Sequence, residues 1–209
     1  AQIASLYPEA LGYAAQLSFD QWEGEKPDLV VISPNDPQAM VQYVEECQQL
    51  GLNYLYDPSQ QIVRMTGEQI RRGIEGAHAL AVNDYEFGLI QKMTGMSPTD
   101  ILTHLRFMVV TQGAKGSTIY ADQQEFHVPV VPPQRVADPT GVGDAFRGGF
   151  LTGYAHQWDW ETCGRVGAMA ATYCLEQQGP QSHAYTPAEF TARYHQHFGS
   201  NQRVEELLK

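Results

Sequence analysis

Short β-branched runs alternate with amphipathic stretches along most of this chain, and the connections between them are short. Leu29 to Ile32 reads as a buried strand. Asp36-Pro37 then supplies an N-cap with proline at the first helical position, and a helix is expected to about Leu50, where Gly51 stops it. Asn53 to Tyr56 is the next strand and ends in Asp57-Pro58. Thr66-Gly-Glu-Gln69 has the capping-box form and opens a helix to about Gly76. Ala79 to Val82 is a strand, and Tyr85 to Thr94 a helix capped by Asn83 or Asp84. Ser97-Pro-Thr-Asp100 opens a short helix. Phe107 to Thr111 is a strand, while Ser117 to Tyr120 and Glu125 to Val131 read as a hairpin or strand pair. Helices follow from Gly143 to about His156, from Trp160 to Leu175, and from Thr186. Such alternation builds βαβ units around a parallel sheet, an α/β fold. Ligands of such sheets bind beyond the carboxyl ends of the strands. The loops at Asp57-Pro58, Asn83 to Glu86, Thr111 to Gly116 and 141–143 are therefore where chemistry is expected.

The 209 residues, 43% hydrophobic and 18% charged, suffice for one such domain and are marginal for two. A net charge of −11 argues against a general nucleic-acid or anionic-membrane binder. It does not exclude one phosphorylated ligand held by backbone N–H groups. Cys47, Cys163 and Cys174 fit neither a metal spacing nor a closed disulfide framework, so reduced thiols in the cytoplasm are expected. No apolar run reaches membrane-spanning length. The start reads like the middle of a domain, neither an initiator Met nor a signal peptide.

The strongest chemical signal is Asp138-Pro-Thr-Gly-Val-Gly-Asp-Ala-Phe-Arg-Gly-Gly-Phe150. Gly141 and Gly143 permit a sharp turn and close approach to a ligand. The N–H groups of Gly141, Val142 and Gly143 at a helix start would form an anion hole, reinforced by the helix dipole. Charge building on a transferring phosphoryl group suits such a hole. Asp144 at the same helix end could take a proton from an attacking alcohol. Residue chemistry alone leaves a second reading open, because Asp is a common cap and Gly-x-Gly a common turn. A Rossmann fingerprint fails at Phe146, and the order Lys115-Gly116-Ser117 is wrong for a Walker loop. Gly148-Gly149 would let this helix pack closely on a neighbour.

The 138–150 segment closely resembles the second signature of the ribokinase-like (PfkB) family of carbohydrate and nucleoside kinases. Thr111-Gln-Gly-Ala-Lys-Gly116 resembles that family's turn beside the ATP phosphates. Asn83-Asp-Tyr-Glu86 resembles its Asn-x-x-Glu motif, which supports Mg²⁺ and phosphate through water. The resemblance covers essentially all of residues 1–209 and implies a three-layer α/β/α sandwich with a mostly parallel central sheet. It implies Asp144 as catalytic base and Gly141, Val142 and Gly143 as anion hole. Thr111, Gly113 and Gly116 become nucleotide neighbours, and Asn83 and Glu86 the Mg²⁺ and phosphate residues. Val142 departs from the family's usual small residue, which keeps the N–H but alters the packing. The wording is most similar to the bacterial adenosine-kinase-like branch, including Gly179-Pro-Gln-Ser-His183. Arg147, one turn past Asp144, either reaches the transferred phosphate or pairs with a nearby carboxylate.

The resemblance thus implies an ATP-dependent transfer of the γ-phosphate to a hydroxymethyl group of an adenosine-like nucleoside. A ribose- or fructose-type sugar kinase, or a silent nucleotide-binding protein on the same fold, is the alternative. Mg²⁺ with ATP is implied, and a monovalent cation left open. ATP and a small hydroxyl-bearing substrate are the expected partners, with no nucleic acid and no membrane. The family's first strands, its lid and most acceptor-binding residues are not recognisable here. The chain is expected to be the C-terminal two-thirds of one kinase domain, with 1–19 a lid-returning strand and its re-entry into the core. Alone it is expected to bind ATP weakly and to phosphorylate nothing efficiently. A sheet missing strands leaves an open edge, compatible with a homodimer. Among weaker features, Asp57 follows a strand and is expected to serve the turn at Pro58, with the active-site rim as the alternative. His183 is expected as a solvated loop residue, Trp158 and Trp160 as packing residues, and Cys174 as inert. His195 and His197, two apart on a helix, point to different faces and make no metal site.

Overall fold

The computed structural model describes residues 9–208. They gather into two compact units, one up to Val109 and one from Val110. In the first unit, strand β1 (Val30–Ile32) precedes helix α1 (Pro37–Gln49), then β2 (Tyr54–Tyr56), α2 (Gly67–Glu75), β3 (Ala79–Asn83), α3 (Asp84–Thr94) and α4 (Pro98–Thr103). Strand β4 (Phe107–Thr111) carries the boundary between the units. β1, β2 and β3 run parallel, with Val30 opposite Tyr54 and Leu55 opposite Ala79. All three residues of β2 are buried. A strand covered on both faces needs an unbroken apolar run, as Tyr54-Leu-Tyr56 is. The Tyr54 hydroxyl donates to the Gly73 carbonyl at 2.9 Å, which ties α2 to this strand.

The second unit holds the antiparallel hairpin β5 (Ser117–Ala121) and β6 (Gln124–Val128), with Ser117 opposite Val128. The expected second strand ran to Val131. It stops at Val128 because Pro129 cannot donate to a ladder. A wall segment with Pro129, Pro132 and Pro133 follows. Helices α5 (Val142–Ala155), α6 (Trp160–Leu175), α7 (Pro187–Phe198) and α8 (Gln202–Glu205) complete the unit. α5 and α6 pack closely at Gly149, where an added Cβ would lie 2.8 Å from the Val166 carbonyl. Its neighbour Gly148 faces open space, so only one of the two expected glycines makes the contact. Trp158 is buried, and Trp160 stacks on Phe150 and Tyr154.

Of the expected lid remnant, residues 1–8 lie outside the described part. Glu9–Gln16 and Phe19–Gln21 are 3₁₀ turns. The Tyr43 hydroxyl of α1 donates to the Ala14 carbonyl at 2.6 Å, which seats this segment on the first unit. Among the described residues no helix is long and apolar enough to cross a membrane.

Candidate active site

The site is built around the start of α5. Asp138 Oδ1 accepts the Thr140 N–H at 2.9 Å, a turn that commits the chain to bend before the helix. Its Oδ2 accepts the Gly179 N–H and the Gln178 amide, both at 3.0 Å. Hydrogen bonds from Thr140 and then Gly179 hold this carboxyl below its ordinary range. One side chain thus fastens the 138–141 loop to the Gly179-Pro180 turn. Gly141 sits at the junction with φ of +81°, and an added Cβ would lie 2.5 Å from Pro180 Cβ. Both backbone and space demand glycine there.

The first helical hydrogen bond of α5 runs from Ala145 N–H to the Gly141 carbonyl at 2.9 Å. The donors left over belong to Val142, Gly143 and Asp144. Val142 makes a long contact with the Pro139 carbonyl at 3.4 Å, so its N–H is weakly engaged. The N-cap, Gly141, offers no side chain to the rest. Every other α-helix among the described residues has a side-chain cap, from Asp36, Thr66, Asn83, Ser97, Asp159, Thr186 and Asn201. A Cβ added at Gly143 would meet nothing within 4 Å, so space opens beside these donors. The first-turn donors left free or weakly engaged are thus those of Val142, Gly143 and Asp144, where the hole was expected at Gly141, Val142 and Gly143.

Asp144 stands in the first turn with its side chain 72% exposed. Arg147 donates to its Oδ1 at 2.6 Å and is itself only 15% exposed. Burial pulls the guanidinium below its usual range. Pairing with a carboxylate, one of the two expectations for Arg147, is thus present.

Thr111, at the end of β4, leads into a turn closed on itself. Gln112 N–H donates to the Gly116 carbonyl at 2.8 Å and Gly116 N–H to Gly113 at 3.1 Å. Gly116 has φ of +93°, and a side chain there would collide with the Val128 carbonyl. Thr111, Gly113 and Gly116 line a cavity of about 430 Å³ together with Val142 and Gly143. Its remaining surface is mostly apolar, from Val131, Pro133, Val136, Phe146 and Leu175 among others. Val142 thus contributes an apolar surface to this cavity.

The wall is fixed from behind by Glu176, a residue no sequence pattern marked. It takes a two-pronged ion pair from Arg193 at 2.6 and 2.8 Å and the Gln134 N–H at 2.6 Å. The Arg193 bonds chiefly hold its carboxyl below the ordinary range. Arg135 binds the Glu176 carbonyl at 2.7 Å. Cys174 is buried, and burial first, then the negative Asp138 and Asp144, raises its thiol, as suits an inert residue. His183 departs from expectation. It is half-buried against Tyr185, and its Nδ1 is buried with no hydrogen-bond partner among the described residues.

Asn83 and Glu86 belong to the first unit. Asn83 Oδ1 accepts the Glu86 N–H at 2.8 Å and Glu86 Oε2 accepts the Asn83 N–H at 2.9 Å, a complete capping box on α3. The Ser59 hydroxyl approaches Glu86 Oε1 at 3.3 Å. Asp57 is 6% exposed and precedes Pro58 and the 3₁₀ segment Ser59–Arg64, which has no side-chain cap.

Residues 2–187 match the model of the pfkB family of carbohydrate kinases. The nucleoside kinase of Methanocaldococcus jannaschii is 30% identical over 171 residues, which are 81% of this chain and 56% of that protein. The nucleoside kinase of Methanothermobacter thermautotrophicus is 30% identical over 175 residues, 81% of this chain and 55% of the relative. The chain therefore spans little more than half the length of these relatives. Among solved structures, the Burkholderia thailandensis nucleoside kinase in complex with inosine is similar at TM-score 0.83 and 38% identity. It covers 90% of this chain, which spans 61% of that one. The M. jannaschii nucleoside kinase, described as an archaeal member of the ribokinase family, has TM-score 0.82 at 28% identity. It covers 90% of this chain, which spans 62% of it. The expected ribokinase-like α/β fold is borne out.

Proposed function

The chain belongs to the pfkB family of carbohydrate kinases, and on that premise we propose that it carries the nucleotide-binding and catalytic part of an ATP-dependent nucleoside kinase. The observation that carries the reading is the uncapped start of α5, with an exposed Asp144 beside it and an apolar cavity against it. Pockets of this size and lining accept a flat heterocycle. In this reading the base and sugar of ATP lie in the cavity and the phosphates run toward Gly113, Gly116 and the first turn of α5. The N–H groups of Val142, Gly143 and Asp144 then face the oxygens on which charge builds. Asp144 accepts the proton of the attacking hydroxyl as the new P–O bond forms and the bond to ADP breaks.

Mg²⁺, when bound with ATP, neutralises the phosphate oxygens. The donors present suit it. Asn83 and Glu86 offer hard oxygens, and Glu86 keeps lone pairs beyond its cap and the contact with Ser59. Mg²⁺ is habitually held by phosphate and water with one or two carboxylates, so a dedicated protein cage is not required.

The acceptor reading as a nucleoside is supported by the kinases that this chain resembles, one of them solved with inosine. The test is phosphoryl transfer by the full-length protein against a panel of nucleosides and free sugars, with Asp144→Asn beside it. Nucleosides are expected to react best, and the variant to bind ADP normally while losing turnover by about 10³-fold. A preference for ribose or fructose would reassign the acceptor. Near-normal turnover in Asp144→Asn would remove the catalytic reading.

A further inference from the structure

Asp144 occupies the third position of α5, and that position has a well-defined fate elsewhere in this protein. In α2, α3, α4 and α7 the residue there (Gln69, Glu86, Asp100, Glu189) folds back onto the start of its helix. Asp100 is the closest comparison, being the same residue type. Its Oδ2 accepts the Ser97 N–H at 2.9 Å and the Ser97 hydroxyl at 2.7 Å. A carboxylate at this place is drawn to the first-turn donors by the helix dipole. Asp144 does not follow the pattern, and it points along the helix toward Arg147.

Two features account for this. Gly141 at φ +81° differs from the extended caps of the other four, whose φ lies between −92° and −73°. That removes the reciprocal box but leaves the carboxylate free to cover the donors of its own first turn. Arg147 supplies the second feature. Its guanidinium is mostly buried, hence fixed in place, and it holds Oδ1 at 2.6 Å. The i,i+4 pair of Arg72 and Glu68 is far more exposed, at 62% and 65%, while Arg165 beside Glu161 is 28% exposed, still more open than Arg147. Among the described residues Asp144 Oδ2 accepts no hydrogen bond.

We propose that Arg147 is a positioning residue, which keeps the Asp144 carboxylate off the first turn of α5 and so keeps those N–H groups available to a phosphoryl anion. The same grip leaves Oδ2 as the oxygen that receives the proton. This rests on the reading of Asp144 as the base. Arg147 acts through Asp144, and direct contact with the phosphate is the competing account.

The test uses the full-length protein with ATP and the best acceptor. Arg147→Ala is expected to lower kcat about 10²-fold, the lower end of the range for one lost oxyanion donor, while KM for ATP changes less than about twofold. Arg147→Lys should recover most of the loss. In an Asp144→Asn background, adding Arg147→Ala should change the residual kcat less than about threefold, because the group it acts through is gone. The same large loss in both backgrounds, or a tenfold rise in KM for ATP, would overturn the proposal and favour direct phosphate contact. A crystal structure of Arg147→Ala gives the independent answer. Asp144 is expected within hydrogen-bond distance of a first-turn N–H, and an unmoved carboxylate overturns the idea even where residual rates are too low to compare. Asp144→Asn alone with near-normal turnover would defeat the base reading instead, a distinguishable failure.

Discussion

Helices α3 and α5 both begin at a loop that the sequence marks as chemical, yet they treat their starts in opposite ways. α3 closes its start. Asn83 and Glu86 satisfy each other's backbone groups at 2.8 and 2.9 Å. α5 leaves its start open, with a left-handed glycine as cap and its acidic residue turned toward Arg147. A side-chain cap is worth about 1 kcal/mol. The α5 start forgoes that stability and retains free donors, and on the function proposed above the difference separates a closed terminus from one left open to an anion.

The sharpest way to break this contrast is Gly141→Ala in the full-length protein. The left-handed backbone and the approach of Pro180 both resist a side chain. Turnover is expected to fall by about 10²-fold or more, with a lower melting temperature, measured by phosphoryl transfer and thermal unfolding. Gly143→Ala should divide the two properties. This glycine lies in the helix and faces open space. Stability is expected to rise by about 0.5–1 kcal/mol in denaturant unfolding. Turnover should fall about tenfold, because the methyl group enters the anion's space. A variant that gains stability at full activity would show that this space holds no ligand.

On the closed side, Asn83→Ala should lower unfolding stability by about 1 kcal/mol. If Asn83 also serves Mg²⁺, the Mg²⁺ concentration for half-maximal activity rises several-fold. An unchanged requirement leaves α3's cap a purely structural one. The smallest effect is a pH dependence. Serine and threonine bonds hold the carboxyls of Asp100 and Glu189 below their ordinary values of 3.8 and 4.5. Their capping contribution is therefore present above those values and is lost as pH falls through the lower folded ones. The α5 cap is glycine and does not titrate. Amide exchange corrected for intrinsic rates should show the first turns of α4 and α7 loosening as pH falls below these ordinary values, and any loosening at the start of α5 following Asp138 and not its cap.

Much of the fold was legible because its punctuation is local. Asp36-Pro37, Thr66 to Gln69, Ser97 to Asp100 and Thr186 to Glu189 each act within four residues, and each forms the predicted cap. The 3₁₀ segments at Glu9–Gln16 and Ser59–Arg64 were not foreseen, since such short turns carry no apolar period. Within the site, Asp144, Thr111 and the glycines were readable as motif. Asp138's grip on Gly179, 41 residues away, was not. Nor was Glu176's hold on Arg193 and Gln134, which only folding brings together. The partial burial of His183 is equally non-local: it lies against Tyr185, which Tyr173 and Phe190 hold in place.

The wall that runs from Pro129 through Pro132 and Pro133 has a further consequence. Prolines hold few backbone conformations even before folding, and this stretch is pinned at its far end by Gln134 and Arg135 on Glu176. A slot with such a side surrenders little configurational freedom when a ligand enters. Affinity there would depend on the guest's own fit, and the protein would discriminate between heterocycles by shape, as a rigid gauge does.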